Sequence, residues 1–200
     1  TLGFGSLLYG FSSVGDKGWG SPQVYGFLIV GAIVLCLFTY RQLHLEQPFL
    51  ELRVFKSKVF TVAAILSGVT NMAMIGAEMV LPLYIQNIRG ESAFHSGLML
   101  LPGALVMGLM MPVTGRIFDK IGARRLAITG MFILTAATLP FAFLTKATPI
   151  IYIIVLYAIR MFGISMVMMP VTTSGMNALP MNLLSHGTAV NNTFRQVASS

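Results

Sequence analysis

The stretch Asp119-Lys120-Ile121-Gly122-Ala123-Arg124-Arg125 separates two uncharged apolar runs, residues 96–115 and 126–145, of 20 residues each. An α-helix rises about 1.5 Å per residue, so each run is long enough to cross the roughly 30 Å hydrocarbon core of a bilayer. The charged stretch is too short to fold as a domain. It therefore predicts a tight turn that returns the chain across the membrane.

The composition extends this interpretation to the whole chain. Of its 200 residues, 56% are hydrophobic and 10% are charged, whereas soluble domains average about 25% charged residues. Mean hydropathy is +0.81, and apolar runs of spanning length recur from one end to the other. A soluble fold of this length could not bury so much apolar sequence, so we predict an all-α, polytopic transmembrane helix bundle.

The spacing of the apolar runs predicts five complete spans with a partial helix at each end. The complete spans are residues 23–40, 59–88, 96–118, 126–145 and 150–176, and the partial helices are 1–15 and 187–200. Since the first run is too short to span and the last stops in mid-pattern, we expect a fragment of a longer membrane protein. The rest of that parent chain would then be its partner.

The basic residues predict the orientation of the spans. Thirteen Lys and Arg residues stand against six Asp and Glu, a net charge of +7, which in a soluble protein would suggest nucleic acid. Here most of them flank apolar runs, so we expect membrane lipids as partners and no nucleic acid. Because successive links lie on alternate sides of the membrane, their basic residues can be counted side by side. One side has eight, including Arg116 at the end of a span, and the opposite side has three. In membrane proteins, basic residues are enriched in the cytoplasmic loops. The cytoplasmic links are therefore predicted to be 41–58, 119–125 and 177–186.

Two segments depart from simple spans. Residues 48–55 are too charged to span, and they predict either a plain connector or a short surface helix with one apolar side formed by Phe49, Leu52 and Phe55. Residues 59–88 are longer than a perpendicular crossing needs, so we expect a tilt or a kink near Pro82.

The turn, together with Gly115, reads G-x-x-x-D-K-x-G-x-R-R. Gly122 suits the positive φ of a turn that ends a helix, and Gly115 would let a neighbouring helix backbone come close. Asp119 is placed to accept hydrogen bonds from a helix N-terminus or to pair with an arginine. The basic residues can reach anionic headgroups, namely Lys120, Arg124 and Arg125. A generic basic turn that contains an aspartate by chance is the alternative.

This pattern resembles the loop signature of the major facilitator superfamily, a family of secondary transporters. In that family the loop is cytoplasmic and helps to lock the outward-open state. The resemblance implies the same conformational-switch role here for Gly115, Asp119, Lys120, Gly122, Arg124 and Arg125. The family often has a basic residue where this chain has Ala123, so one contact is expected to be missing.

The resemblance covers almost the whole chain. The matching segments are similar to the C-terminal half of fourteen-helix drug:proton antiporters; they are residues 46–52, 80–90, 96–104 and 187–196. This resemblance implies that the chain forms part of the major facilitator fold, from late in the seventh of the fourteen helices to the thirteenth.

Two charged residues lie inside predicted spans, Glu78 and Arg160. A charge at the bilayer centre costs about 2.5–3.5 kcal/mol and usually faces a bundle interior or a water-filled path. Glu78 is interpreted either as a proton-coupling carboxylate or counter-charge for a cationic drug, or as a glutamate near a cavity mouth. Arg160 is interpreted either as a gate or coupling switch, or as a static, carbonyl-bonded arginine. Whether the two pair is left open.

Weaker candidates are the polar residues near membrane depth, which either join helices or contact substrate: Asn71, Gln86, Asn191, Asn192, Arg195 and Gln196. The three histidines lack metal-ligand spacing. There is no phosphate-binding glycine loop, and the hydroxyl-bearing runs 172–174 and 199–200 have no base beside them that would make a nucleophile. We therefore expect no metal, cofactor or catalytic residue, and no enzyme.

The leading hypothesis is a proton-coupled multidrug efflux antiporter of the cell membrane, working by alternating access. Its partners would be protons and amphipathic, often cationic small molecules. An exporter of a specific metabolite, amino acid or siderophore on the same fold is the alternative. A membrane enzyme or receptor is a remote one, since it would need a catalytic cluster or a ligand domain.

Overall fold

The computed structural model describes residues 2–44 and 51–199, and within them it contains helices and turns and no strand. Five segments are long and apolar enough to cross a bilayer, which confirms the predicted all-α transmembrane bundle. The seven α-helices are α1 (Leu2–Lys17), α2 (Pro22–His44), α3 (Lys58–Leu83), α4 (Ala93–Ile121), α5 (Ala123–Thr138), α6 (Ile150–Asn177) and α7 (Leu184–Ser199).

Helix α6 is the centre of the bundle. Helices α3, α4 and α5 pack around it, and α7 packs on α3. The largest cluster of buried apolar residues is on this central helix, where Ile153, Tyr157, Met161 and Ile164 are all at most 4% exposed. Small residues allow the closest crossings. At the crossing of α5 and α6, a Cβ added to Gly163 would lie 2.8 Å from the backbone nitrogen of Leu134.

Helices α1 and α2 form a hairpin that packs mainly on itself. A Cβ added to Gly31 would lie 2.9 Å from the carbonyl oxygen of Gly3, so the two backbones are in contact there. This is the close approach expected of the small residues in the first helix.

The turn between α4 and α5 is shorter than the seven residues that the sequence predicts. Helix α4 continues to Ile121 and α5 begins at Ala123, so only Gly122 lies outside a helix. Its φ is +80°, a conformation that favours glycine. The prediction of a seven-residue turn was wrong because charged side chains do not end a helix; they continue it into the headgroup layer. The reversal needs one residue free of a Cβ.

The link after α2 also differs from its prediction. Helix α2 includes Arg41 and ends at His44, and Phe49 lies outside the described residues. The following segment, Leu52–Lys56, is a single 3-10 turn whose start is capped by the Glu51 carboxylate. Its buried side chain is Val54 rather than a stripe of larger apolar residues. Of the two alternatives left open by the sequence, the connector is the one present in the described part of this link, residues 51–57.

Prolines change the winding of two spans. After Pro82, helix α3 is followed by a π-helical turn, Tyr84–Ile88, at the place where a kink was expected. Helix α5 gives way to a 3-10 turn, Leu139–Phe143, that contains Pro140. The π-helical turn is anchored to the loop before α6, since the Tyr84 hydroxyl donates to the Thr145 carbonyl at 2.6 Å.

Candidate functional site

The site is built around Arg160, the largest fully buried side chain of the described residues, which is 1% exposed. Its Nε donates to the Oγ1 of Thr138 at 3.1 Å, and its Nη2 donates to the carbonyl oxygen of Ala73. The Nη1 is buried and has no hydrogen-bond partner among the described residues. The guanidinium therefore joins α6 to α3 and α5 and keeps one unmatched nitrogen.

Arg160 reaches Ala73 and Thr138 because all three residues lie at a similar depth in the helix bundle. Ala73 and Thr138 each come fifteen residues after the first residue of their helix, about 22 Å along the axis. Arg160 comes seventeen residues before the end of α6, which runs in the opposite direction, about 25 Å from that end. An arginine at this depth can reach both neighbouring helices.

Thr138 is a residue of the site that the sequence analysis missed. Its hydroxyl donates to the carbonyl oxygen of Leu134 at 2.6 Å, which leaves the oxygen free to accept from Arg160. The helix ends at Thr138 and the 3-10 turn with Pro140 follows. The signal available in the sequence was a threonine two residues before a proline, at the depth of the buried arginine.

Tyr157 is the second missed residue. It precedes Arg160 by three residues and so lies on the same side of α6. The ring is 4% exposed and packs directly on α4; a Cβ added to Gly103 would lie 2.3 Å from its Cδ1. Its electrostatic neighbours are Glu78 and Arg160.

Glu78 does not pair with Arg160 in this structure. It lies five residues past Ala73 on α3, about 7.5 Å further along the helix. Its side chain is exposed, and these two described residues form no ion pair within 4.0 Å. Glu78 nevertheless remains within electrostatic range of Arg160. The pairing that the sequence left open is thus absent from this conformation, and Arg160 has the carbonyl-bonded arrangement.

A cavity of about 680 Å³ lies beside the buried arginine. It is bounded by α3, by the end of α5 and by α6, with Tyr84 and Lys146 among its lining. This volume falls in the range of about 300–1,000 Å³ typical of small-molecule sites, which are mostly apolar with a few polar groups. Glu78 is outside this lining. The two charges inside the spans therefore face different spaces.

Asn71 and Arg195 form a reciprocal pair between α3 and α7. The Asn71 Nδ2 donates to the Arg195 carbonyl at 3.3 Å, and the Arg195 Nη2 donates to the Asn71 Oδ1 at 3.1 Å. Of the two roles open to them, joining helices is the one this conformation contains. Arg195 Nε and the Oγ of Ser67 are buried without a partner among the described residues.

The other weak candidates do not converge on Arg160. Asn191 is buried in α7, whereas Asn192 is exposed and Gln86 is half-buried in the π-helical turn. Gln196 lines a separate cavity with residues of α1. Among the described residues there is no group of three potential metal-ligating side chains.

The loop motif has one packed glycine and an exposed set of charges. A Cβ added to Gly115 would lie 3.3 Å from the Cε of Met169, so a side chain rather than a backbone approaches it, contrary to the prediction. Asp119 forms no ion pair or hydrogen bond with any described residue, and its predicted contact stays a prediction. The charged residues of the motif are all exposed, namely Asp119, Lys120, Arg124 and Arg125.

Comparison with known proteins agrees with this architecture. The model of the Major Facilitator Superfamily matches residues 2–200. All of this chain is 54% identical to the uncharacterized MFS-type transporter YcnB of Bacillus subtilis. It is 46% identical to the lincomycin resistance protein LmrB of Listeria monocytogenes, and it spans 42% of the length of each. Over 88% of the chain, it is 25% identical to the multidrug resistance protein Stp of Mycobacterium tuberculosis, covering 33% of that protein. The chain therefore belongs to the major facilitator superfamily of membrane transporters.

Proposed function

We propose that this chain serves a proton-coupled multidrug efflux antiporter of the cell membrane that works by alternating access. The observation that carries the proposal is the position of Arg160: a buried arginine held by two neutral groups, with one nitrogen unmatched. A charge in the hydrocarbon core costs about 2.5–3.5 kcal/mol or more, and stable packing alone would be met by an uncharged residue.

Glu78 supplies the proton-coupling step in this proposal. Helix α3 carries both the Ala73 carbonyl that now holds Arg160 and the nearby Glu78 carboxylate. An ionised Glu78 attracts Arg160, whereas a protonated Glu78 does not. Protonation therefore changes which part of α3 the guanidinium prefers, and so biases the position of α3 against α6.

The loop motif is the second conformational element of the proposal. Its exposed Asp119 is available for a contact outside the described residues, at the end of the bundle that the charge distribution assigns to the cytoplasm. We infer that such a contact, supported by Arg124 and Arg125, stabilises the outward-open state. Asp119→Asn would weaken it and shift the population toward the inward-open state.

The substrate class rests on the relatives and on the cavity. Names of similar proteins refer to multidrug resistance and to lincomycin resistance, and the cavity beside Arg160 is mostly apolar. Amphipathic small molecules fit this combination. Glu78 lies outside the cavity lining in this conformation, so we propose it as the counter-charge of a cationic substrate only after α3 has moved against α6. An exporter with one narrow substrate is the second candidate, because several relatives are named for a single compound.

Efflux of a fluorescent lipophilic cation from cells that express the full-length protein tests the proposal. Wild type is compared with Glu78→Gln and Asp119→Asn at matched expression, with and without a proton uncoupler. Glu91→Gln is the matched control, since it removes another acid, one paired with exposed His95. Uncoupler-sensitive efflux that falls at least tenfold in Glu78→Gln but not in Glu91→Gln is expected. Efflux unaffected by Glu78→Gln would refute the carboxylate's role, and no efflux from wild type would leave the narrow-substrate exporter.

A further inference from the structure

A second cavity lies at the opposite end of the bundle from Lys146. Its volume is about 520 Å³, and it lies between the N-terminal ends of α3 and α5, over the C-terminal half of α6. Its lining combines two basic residues with apolar ones: Lys58, Val59, Val62, Ala63, Leu66, Ala123, Arg124, Ala127, Ile128, Val171 and Ser174. None of the roles assigned above uses this cavity, although one of its lining residues, Arg124, belongs to the loop motif.

The cavity favours an anion at its rim. Lys58 begins α3 and Arg124 stands in the first turn of α5, so two different helices each contribute an exposed cation. Among the described residues, no acidic side chain belongs to the lining. Helix α5 also begins without a side-chain cap or an acidic residue in its first turn, which leaves backbone N–H groups and the positive end of the helix dipole at the same place.

Below this rim, the side chains that line the cavity along α3 are apolar. From Lys58 to Leu66 the lining descends eight residues of α3, about 12 Å, and apolar side chains face it from α5 and α6. Val62 and Ile128 are 56% and 60% exposed. A cationic rim above an apolar furrow matches a molecule with an anionic head and a hydrocarbon chain.

We propose that this cavity binds an anionic phospholipid of the leaflet in which the loop motif lies. Its phosphate sits between Lys58 and Arg124, and one acyl chain lies against α6 between α3 and α5. Basic pockets between transmembrane helices on the cytoplasmic side are known to hold anionic headgroups, and the charge distribution assigns this end to the cytoplasm. Because Arg124 also belongs to the loop motif, the bound lipid couples leaflet composition to that loop.

The test uses the full-length protein in detergent, with lipid binding measured by native mass spectrometry and by the rise in melting temperature. The probes are phosphatidylglycerol, phosphatidylcholine and inorganic phosphate. The Lys58→Gln/Arg124→Gln variant removes the rim, and Val62→Trp fills the furrow. The matched controls are Lys56→Gln/Arg116→Gln, which removes the same charge outside the cavity, and Ile65→Trp, which enlarges an exposed residue of α3 that does not line it.

Phosphatidylglycerol is expected to bind and stabilise the wild type more than phosphatidylcholine, and the rim variant to bind it about 10- to 30-fold more weakly. Val62→Trp should also lose the preference, while both controls keep it. Equal loss in the control pair would reduce the effect to general surface charge and overturn the proposal. Equal stabilisation by phosphatidylcholine or by inorganic phosphate, or unchanged binding in the rim and furrow variants, would overturn it as well.

Discussion

At the scale of single residues, Arg160 shows how a buried charge can be held without an acid. A backbone carbonyl and a threonine hydroxyl accept from two of its nitrogens. Hydrogen bonds that involve a charged group contribute about 1.5–3 kcal/mol each. Because both partners are neutral, neither holds the guanidinium as strongly as a carboxylate would, and this leaves it free to respond to a nearby charge such as Glu78.

The hydrogen bond from Arg160 to Thr138 gives the first prediction. Thr138→Val keeps the shape of the side chain but removes the acceptor, so the Nε of Arg160 is left buried and unpaired. We expect the full-length protein to lose about 1–3 kcal/mol of stability, measured as a lower melting temperature after purification. Thr138→Ser keeps the hydroxyl and should melt close to wild type. Thr135→Val is the control, because Thr135 lies on the same helix and, like Thr138, is exposed, but does not bond Arg160; an equal loss there would contradict the assigned role.

The sequence pointed to part of this site and not to the rest, for a physical reason. Glu78 and Arg160 stand out because a charge inside an apolar span is costly. The Ala73 carbonyl could not stand out, because every residue has one and only the helix packing selects it. Thr138 and Tyr157 have side chains that occur in any span, so their roles become visible only once α3, α4 and α5 are placed around α6.

At the scale of elements, α4 and α6 show how one glycine fixes a crossing. The ring of Tyr157 occupies the space that a side chain at position 103 would need. In lipid, helices associate through close van der Waals packing, and small residues make that contact possible. The same helix has another glycine, Gly108, where an added Cβ would meet no atom of the described residues within 4 Å, apart from its own helix backbone. The two glycines therefore differ in their contacts although both belong to α4.

This difference gives the second prediction. Gly103→Ala would place a methyl group 2.3 Å from the Tyr157 ring, so the ring or the helix has to move. Overpacking of this kind costs about 1–3 kcal/mol, which a lower melting temperature of the full-length protein would reveal. Gly108→Ala should be neutral or slightly stabilising, since alanine favours the helix. The same melting temperature for both variants would refute the contact.

The elements themselves were largely predictable, and their ends were not. Apolar runs of spanning length define each helix because the bilayer requires about 20 such residues. The ends moved outward, as at His44 and Ile121, because charged residues continue a helix beyond the hydrocarbon core. The π-helical winding after Pro82 occurs where Tyr84 contacts the loop before α6, whereas the sequence pattern indicated only a kink near this proline.

At the scale of the whole molecule, neighbours depend on packing that the sequence does not encode in a simple pattern. Helices that follow each other in the chain are not always neighbours: α4 and α5 are joined by a single residue, yet both pack chiefly on α6. Each span is apolar on most sides, because lipid and protein surroundings are equally apolar. Periodicity therefore gives the number of spans but not their order around α6.

Orientation is the property of the whole molecule that the charges do predict, and it can be measured. Eight basic residues in or beside the links on one side against three on the other place Lys56 in the cytoplasm and Ala147 outside. Single cysteines at these two exposed positions can be labelled with a membrane-impermeant maleimide in a Cys36→Ser background, since Cys36 is itself exposed. We expect Ala147→Cys to react in intact cells and Lys56→Cys only after permeabilisation. The reverse pattern would place both the loop motif and the proposed lipid cavity on the outer surface.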